Sequence, residues 1–303
     1  MPELPEVETI RRGLELHLAG RRILGVEVRE TRLRRPIDAD RLRQAIVGRR
    51  VRAVRRRAKY LVLDLEGRGH LLVHLGMTGQ FFIALAARPA IPHEHVVFRL
   101  DDGRTLRFAD PRRFGLLEPV EAGQLEQHPL LRGLGPEPLD GSLDPRALRE
   151  ATRRLRKPIK NFLIDSRALA GVGNIYACET LFRARIHPAT PLRRLDEGRW
   201  RRLLAALRRV LREAVERGGT TLQDFVNAEG EAGFFQMRLR VYARAGKPCP
   251  ACRKPIRRTI QAGRSTFFCP ACQGRGPRRK GAVKPVDASA RRWARGGAQC
   301  AAR

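Results

Sequence analysis

The sequence predicts an α+β chain of two domains, and three observations carry that expectation. The first half alternates short apolar runs with turn signals, as an antiparallel β-sandwich or barrel does. The second half carries apolar stripes at the helical period. Near the end, two Cys-x-x-Cys pairs, Cys249/Cys252 and Cys269/Cys272, flank 16 residues. That spacing is expected of a four-cysteine structural zinc site. At 303 residues there is length for two cores.

Charge narrows the partner. Lys and Arg number 62 against 31 Asp and Glu, a net charge of +31. A chain this basic is expected to meet a polyanion, and nucleic acid is the usual one. A GC-rich genome would exchange Lys for Arg but would not create the excess. No run of about 18 apolar residues occurs, and no charged-then-apolar leader. The expectation is a cytoplasmic protein with no membrane association. A reducing compartment favours metal over disulfides for the paired cysteines. Cys178 falls in a helical pattern and Cys300 in the tail.

The elements follow in order. Val7, Ile10, Leu14 and Leu18 mark a helix opened by Pro5-Glu6, since proline and acids suit a first turn. Ile23–Val28, Leu61–Leu65, Leu71–Leu75, Phe81–Leu85, Val96–Leu100 and Thr105–Phe108 read as strands. Leu61, Leu63 and Leu65 alternate as for one buried face, and Asp102-Gly103 marks a hairpin turn. Leu134–Asp140, rich in Gly and Pro, reads as a linker or hinge. Asp144-Pro145 starts a helix with Leu148 and Leu155 on one side, and a short helix spans Ile159–Ile164. Trp200 to Val215 is amphipathic, and Gly218-Gly219-Thr220-Thr221 ends it, a threonine capping a further short helix. Ala228–Phe235 reads as a mobile loop. Ile256–Gln261 and Ser265–Phe268 read as a hairpin turning at Ala262-Gly263, with Arg264 near its tip. Gln273–Arg303 holds nine Lys or Arg and one acid, and reads as a disordered basic tail adding nonspecific DNA affinity.

Several residues suggest chemistry. Removal of the initiator methionine would leave Pro2 an exposed secondary amine, titrating near ~7.7–8.0. Such an amine can attack a sugar carbon and form an iminium. Glu3 is then a candidate proton donor or acceptor. Lys59 follows Arg55-Arg56-Arg57. Those arginines read either as a solvated strand edge or as phosphate contacts. Met77 stands between glycines in His74–Gly79, and Arg112 and Phe114 lie in Asp110–Gly115. An apolar wedge and an arginine fork can fill the gap left by an extruded base, whereas the plainer reading of Met77 and Phe114 is core packing. His93 and His95 could mimic a metal pair, but no further ligand cluster supports that. Gly171-Val172-Gly173-Asn174 precedes a helix, offering either a phosphate site at the helix N-terminus or a plain turn capped by Asn174.

MPELPEVETIRRGLE closely resembles the start of bacterial formamidopyrimidine-DNA glycosylases, which excise oxidised purines and then nick the strand. Similar motifs follow in the same order to about Gln273. The resemblance implies a β-sandwich with the first helix packed on it (1–135), a helical helix–two-turn–helix domain (136–245), a four-cysteine zinc-finger hairpin (246–273) and a tail (274–303). It implies that Pro2, Glu3, Lys59 and Arg264 are catalytic. It implies that His74, Met77, His93, Arg112, Phe114, Arg154, Lys160 and Asn174 bind DNA, with Met77, Arg112 and Phe114 filling the void. It further implies one structural zinc ion, a loop at Ala228–Phe235 closing over the flipped base, double-stranded DNA with oxidised bases as partner, a monomer, and a place at the bacterial nucleoid. The chain departs from the family in its long tail and in Ala243, where glycine is usual. Thr78 stands where base-recognition residues vary, which puts fine substrate preference in doubt.

Two other functions fit part of this. A non-enzymatic zinc DNA-binding protein would share the charge and cysteines but has no use for MPELPE. The endonuclease-VIII-like branch acts on oxidised pyrimidines, but Glu3-Leu4-Pro5 and Arg112-Arg113-Phe114 favour the purine branch.

Overall fold

Val7, Ile10, Leu14 and Leu18 are all buried on one side of α1 (Leu4–Leu18). Glu3 is its N-cap, and its N–H donates to the Glu6 carboxylate at 2.8 Å. Pro5 in the first turn leaves no N–H unsatisfied. The structure, a computed structural model, describes residues 2–67, 69–218 and 239–274.

Helix α1 packs on two four-stranded antiparallel sheets. One takes the order β1 (Ile23–Val28), β6 (Glu94–Leu100), β7 (Arg104–Ala109), β5 (Gln80–Leu85). The other runs β2 (Val51–Arg57), β3 (Tyr60–Leu65), β4 (His70–His74), β8 (Leu116–Val120). One core joins α1 to the inner faces of both sheets, so the arrangement is the β-sandwich expected. Phe81 meets Phe98 and Phe108 edge-on at 6.1 Å in each case. Leu61, Leu63 and Leu65 face this core, as their alternation predicts. The expectation of a single buried face fails, however: Val62 and Leu72 are covered on the other side by Leu116 and Leu131.

Four elements escaped the sequence reading: β2, β8, the helix α2 (Ala39–Ile46) and a 3-10 turn at Leu192–Arg194. Strand β2 reads VRAVRRR, and its charge hid two buried valines, Val51 and Val54. Arg52 and Arg55 are exposed, as a solvated strand edge would be, whereas Arg56 and Arg57 are turned to the chain's own acids. Arg55 pairs with Asp64, Arg56 with Glu8 and Glu137, and Arg57 with Glu137. Glu137 lies in the stretch expected to be a hinge. That stretch is pinned: Arg57 also donates to the carbonyls of Leu134 and Gly135, and Ala58 N–H to Glu137 at 2.6 Å.

The second half is helical: α3 (Pro145–Thr152), α4 (Ile159–Leu163), α5 (Asn174–Arg183), a 3-10 turn (Leu192–Arg194) and α6 (Glu197–Glu216). Asp144 and Asp196 cap α3 and α6 by accepting from Ala147 and Arg199 N–H. The stripe from Trp200 to Val215 is buried, with Trp200 against Phe162. Leu155 is not a partner of Leu148 on α3: the helix ends at Thr152 and Leu155 is exposed. A hairpin follows, β9 (Arg257–Gln261) and β10 (Arg264–Phe268). Its turn residues Ala262 and Gly263 have φ of 49° and 70°, which matches the right-handed twist of the strands. The expected threonine cap at 220–221, the loop at 228–235, the tail from 275 onward and Cys300 lie outside the described residues.

Candidate active site and nucleic-acid interface

The first residues sit at the seam of the two halves. Leu4 N–H donates to Gly171 O at 3.0 Å. The Glu3 carboxylate, 2% exposed, accepts from the N–H groups of Gly173 at 2.8 Å, Ile175 at 3.0 Å and Tyr176 at 3.4 Å. Glu6 accepts from the Tyr176 hydroxyl at 2.5 Å. The N-terminus of α5 does hold an anion, but that anion is the chain's own carboxylate rather than a DNA phosphate. Gly173 is the N-cap, not Asn174. A β-carbon on Gly173 would stand 2.3 Å from the Glu3 carboxyl, so only glycine admits this contact. Pro2 is buried in the chain that carries Met1 ahead of it; the amine expected there arises only once Met1 is removed.

Burial pushes the Glu3 carboxyl above its ordinary range; Lys59 opposes this, Glu6 adds to it, and the α5 N–H groups oppose it. Lys59 occupies the two-residue turn between β2 and β3, half-buried. Burial lowers its ammonium, Glu3 opposes, and Arg264 lowers it further. Glu3, Lys59 and Arg264 thus share one field across the seam. Arg264 itself is exposed at the start of β10.

The zinc-type hairpin is docked by side chains expected to touch DNA. Lys160 is fully buried, its Nζ 2.6 Å from Thr266 Oγ1, so it serves as a tie under the hairpin rather than a surface contact. Asn174 Nδ2 donates to Ser265 O at 2.9 Å. Gln261 Nε2 donates to Asn161 Oδ1 at 2.9 Å. Arg264 is therefore held in place from beneath.

Four side chains stand out from one rim of the sandwich. Met77 is 38% exposed and Phe114 45% exposed, which removes the core-packing reading of both. The Arg112 guanidinium lies 4.9 Å from the Phe114 ring centre, a cation–π contact. His93 is exposed with φ of 65°. His74 is half-buried against Tyr60, and its Nδ1 accepts from Gly76 N–H at 2.9 Å, shaping the turn before Met77. Arg154 is exposed in the turn after α3. His95 does not pair with His93 for a metal; it is buried and bonded to Asp110 O.

Three buried carboxylates drew no role from the sequence: Glu94 beside His93, Asp110 at the head of the Arg112 motif, and Glu179 in α5. Glu137, in the stretch expected to be a hinge, is partly buried. Glu179 accepts from the N–H groups of Arg240, Val241 and Tyr242, fastening the chain leading to the cysteines. An acid beside a glycine-flanked loop is the only signal that could have marked Asp110.

The four cysteine sulfurs lie within 4.8 Å of one another. Cys249 and Cys272 Sγ are 3.8 Å apart, and Cys252 and Cys269 Sγ 3.4 Å. Thiolates ~2.3 Å from one tetrahedral zinc stand roughly 3.8 Å apart, so the set fits that ion. Ala251 and Cys272 N–H groups point at Cys249 and Cys269 sulfur, as thiolate charge favours. With all four positions filled by protein, a zinc ion here holds structure and offers no open site.

Three family descriptions match in sequence. Residues 1–117 match the formamidopyrimidine-DNA glycosylase N-terminal domain, 134–226 its H2TH domain, and 246–274 a zinc finger found in FPG and IleRS. The formamidopyrimidine-DNA glycosylase of Methylococcus capsulatus is 50% identical over 277 residues, covering 90% of this chain and all of that one. The solved MutM (Fpg) of Thermus thermophilus aligns with a TM-score of 0.79 at 47% identity, over 91% of this chain and all of that one. Lactococcus lactis Fpg in complex with DNA containing an abasic site aligns with a TM-score of 0.83 at 33% identity, over 90% of this chain and all of that one. On fold, sequence and zinc module together, the chain belongs to the formamidopyrimidine-DNA glycosylase family, whose members are DNA glycosylases with lyase activity in base excision repair.

Proposed function

We propose that this chain excises oxidised purines, 8-oxoguanine and formamidopyrimidines, from double-stranded DNA and then cleaves the strand on both sides of the lost base. The observation that carries the reading is the attachment of Glu3 to the N-terminus of α5. It fixes the first residues at the seam, within the field of Lys59 and beside the hairpin bearing Arg264.

In this reading Pro2, freed of the initiator methionine, forms a bond from its nitrogen to C1′ of the flipped nucleotide. The bond from C1′ to the base breaks, and the base leaves with a proton. Glu3, biased toward its protonated form by burial, donates to the sugar ring oxygen as the ring opens to an iminium. Loss of a C2′ proton then expels the 3′ phosphate, and loss of a C4′ proton the 5′ phosphate. Lys59, its ammonium made easier to deprotonate, moves protons in these steps. Arg264 holds the phosphates. Met77, Arg112 and Phe114 enter the duplex, while His74, His93, Arg154 and Asn174 line its path. Lys160 contributes by seating the hairpin. A structural zinc ion held by Cys249, Cys252, Cys269 and Cys272 keeps Arg264 in register.

The work divides at the boundaries expected from sequence: 1–135 for chemistry, 136–245 for DNA binding, 246–273 for the zinc hairpin, and 274–303 for added basic affinity. The chain acts as a monomer, in the cytoplasm at the nucleoid. Borohydride should trap a covalent complex with 8-oxoguanine duplex, and the adduct mass should place the bond at Pro2. Absence of trapping, or equal trapping by Pro2→Gly, contradicts the mechanism. Faster excision of thymine glycol than of 8-oxoguanine contradicts the substrate class.

A further inference from the structure

Asp110 is fully buried, yet it sits at the foot of every exposed side chain on the rim. Its Oδ1 accepts from Thr78 Oγ1 at 2.6 Å and from Arg112 N–H at 3.3 Å. Its Oδ2 accepts from Gly115 N–H at 2.7 Å. Its carbonyl accepts from Arg113 N–H at 3.1 Å and bonds to His95 Nε2 at 2.7 Å, and its own N–H donates to His93 O at 3.0 Å. One residue therefore ties the Met77 loop, the Arg112–Phe114 loop and the His93 turn. The glycines allow the approach: a β-carbon on Gly76 would stand 2.5 Å from the Phe114 carbonyl carbon, and one on Gly115 2.4 Å from the Phe108 ring.

We propose that Thr78 and Asp110 form a bolt making the two loops one rigid wedge, with Asp110 and Thr78 as positioning residues for base extrusion. This rests on the reading of Met77, Arg112 and Phe114 as the groups that enter the duplex. Among the described residues, Thr78 is the only side chain of the Met77 loop that reaches the buried carboxylate. The Asp110 carboxyl is fully buried, so loss of the Thr78 bond leaves one of its lone pairs unmatched. The two loops would then move independently, and the wedge would arrive misaligned. The Thr78 hydroxyl proton is committed inward.

Wedge and chemistry can be separated by substrate. An 8-oxoguanine in duplex must be extruded, whereas an abasic site in a single strand has no stack to leave and no orphan base to hold. Thr78→Val should slow excision from the duplex by about tenfold or more, while cleavage of the single-stranded abasic oligonucleotide stays at the wild-type rate. Thr78→Ser, which keeps the hydroxyl, should restore duplex excision. A 2-aminopurine placed beside the lesion should show slower unstacking in Thr78→Val only. Equal loss on both substrates, or wild-type duplex rates in Thr78→Val, overturns the bolt. Should Thr78→Val be poorly folded, Thr78→Ala, which removes the hydroxyl and adds no bulk at a half-buried position, is put through the same pair of substrates with the same criterion. Wild-type protein that cleaves neither substrate would instead refute the glycosylase reading itself.

Discussion

Glu3 closes the N-terminus of α5 through three N–H groups, and burial raises its carboxyl above the ordinary range against the pull of Lys59. One buried carboxyl thus anchors the domain seam, and the proposed mechanism asks it to serve as an acid as well. His74 shows a simpler conflict. Its Nδ1 must be unprotonated to accept from Gly76. Burial, with Arg34 and Lys59 adding positive charge, pushes it down to about 4. The folded state therefore binds fewer protons than the unfolded chain between about pH 4 and 6.5. Stability from this residue is complete above about pH 6.5 and falls as pH drops through that window, by on the order of 3 kcal/mol in full. Urea unfolding at steps from about pH 7 to about pH 4 should show that loss in wild type. His74→Asn, whose amide oxygen can accept from Gly76, should flatten it; an unchanged slope in the variant would assign the pH dependence elsewhere.

At the scale of elements, the hairpin β9–β10 owes its place to two independent supports. One is the cysteine cluster; the other is the set of contacts from Lys160, Asn174 and Gln261. The cluster also forms part of a small core with Phe182 of α5 and Val241, whereas the sandwich core includes none of the four cysteines. Chelating the zinc should therefore unseat Arg264 and abolish strand cleavage while the sandwich still unfolds cooperatively. Structural zinc contributes about 10 kcal/mol or more to such modules, so the side-chain contacts alone should not hold the hairpin. Calorimetry before and after chelation, with zinc added back, checks this: retention of cleavage by the zinc-free protein would contradict it. The β2–β3 hairpin is a second case. Ala58 takes φ of 55°, a region that costs a non-glycine residue on the order of 1 kcal/mol. The Glu137 carboxylate offsets this by accepting the Ala58 N–H.

For the whole molecule, Glu137 is where the two halves are locked. It joins Arg56 and Arg57 of the sandwich to the stretch leading into the helices, and Arg56 in turn reaches Glu8 of α1. Arg56 and Glu137 are only 12% and 13% exposed, so removing Glu137 leaves a largely buried guanidinium with Glu8 as its remaining carboxylate partner and the Ala58 N–H without its acceptor. Glu137→Ala should cost on the order of 2–4 kcal/mol and, by loosening the turn that carries Lys59, slow strand cleavage more than duplex binding. Denaturant titration and a gel-shift run beside the nicking assay test both parts; a binding loss as large as the cleavage loss would count against the second.

How much of this could be read in advance follows from the range of each interaction. Local periodicity marked α1, α6 and six of the eight sandwich strands, because apolar spacing is a property of neighbouring residues. The cysteine spacing announced its own cluster for the same reason. Strand β2 stayed hidden because its arginines are neutralised by acids up to 81 residues away, which no local window contains. The protein partners of Lys160 and of the α5 N-terminus went unseen because a basic residue and a glycine-rich turn look alike whether phosphate or protein answers them. By itself the sequence determined the architecture, the zinc ligands and the family, since these depend on pattern and covalent order. Only the tertiary structure decided which charges are exposed and which pair with one another, because a charge's partner is set by three-dimensional proximity and burial, and neither is written along the chain.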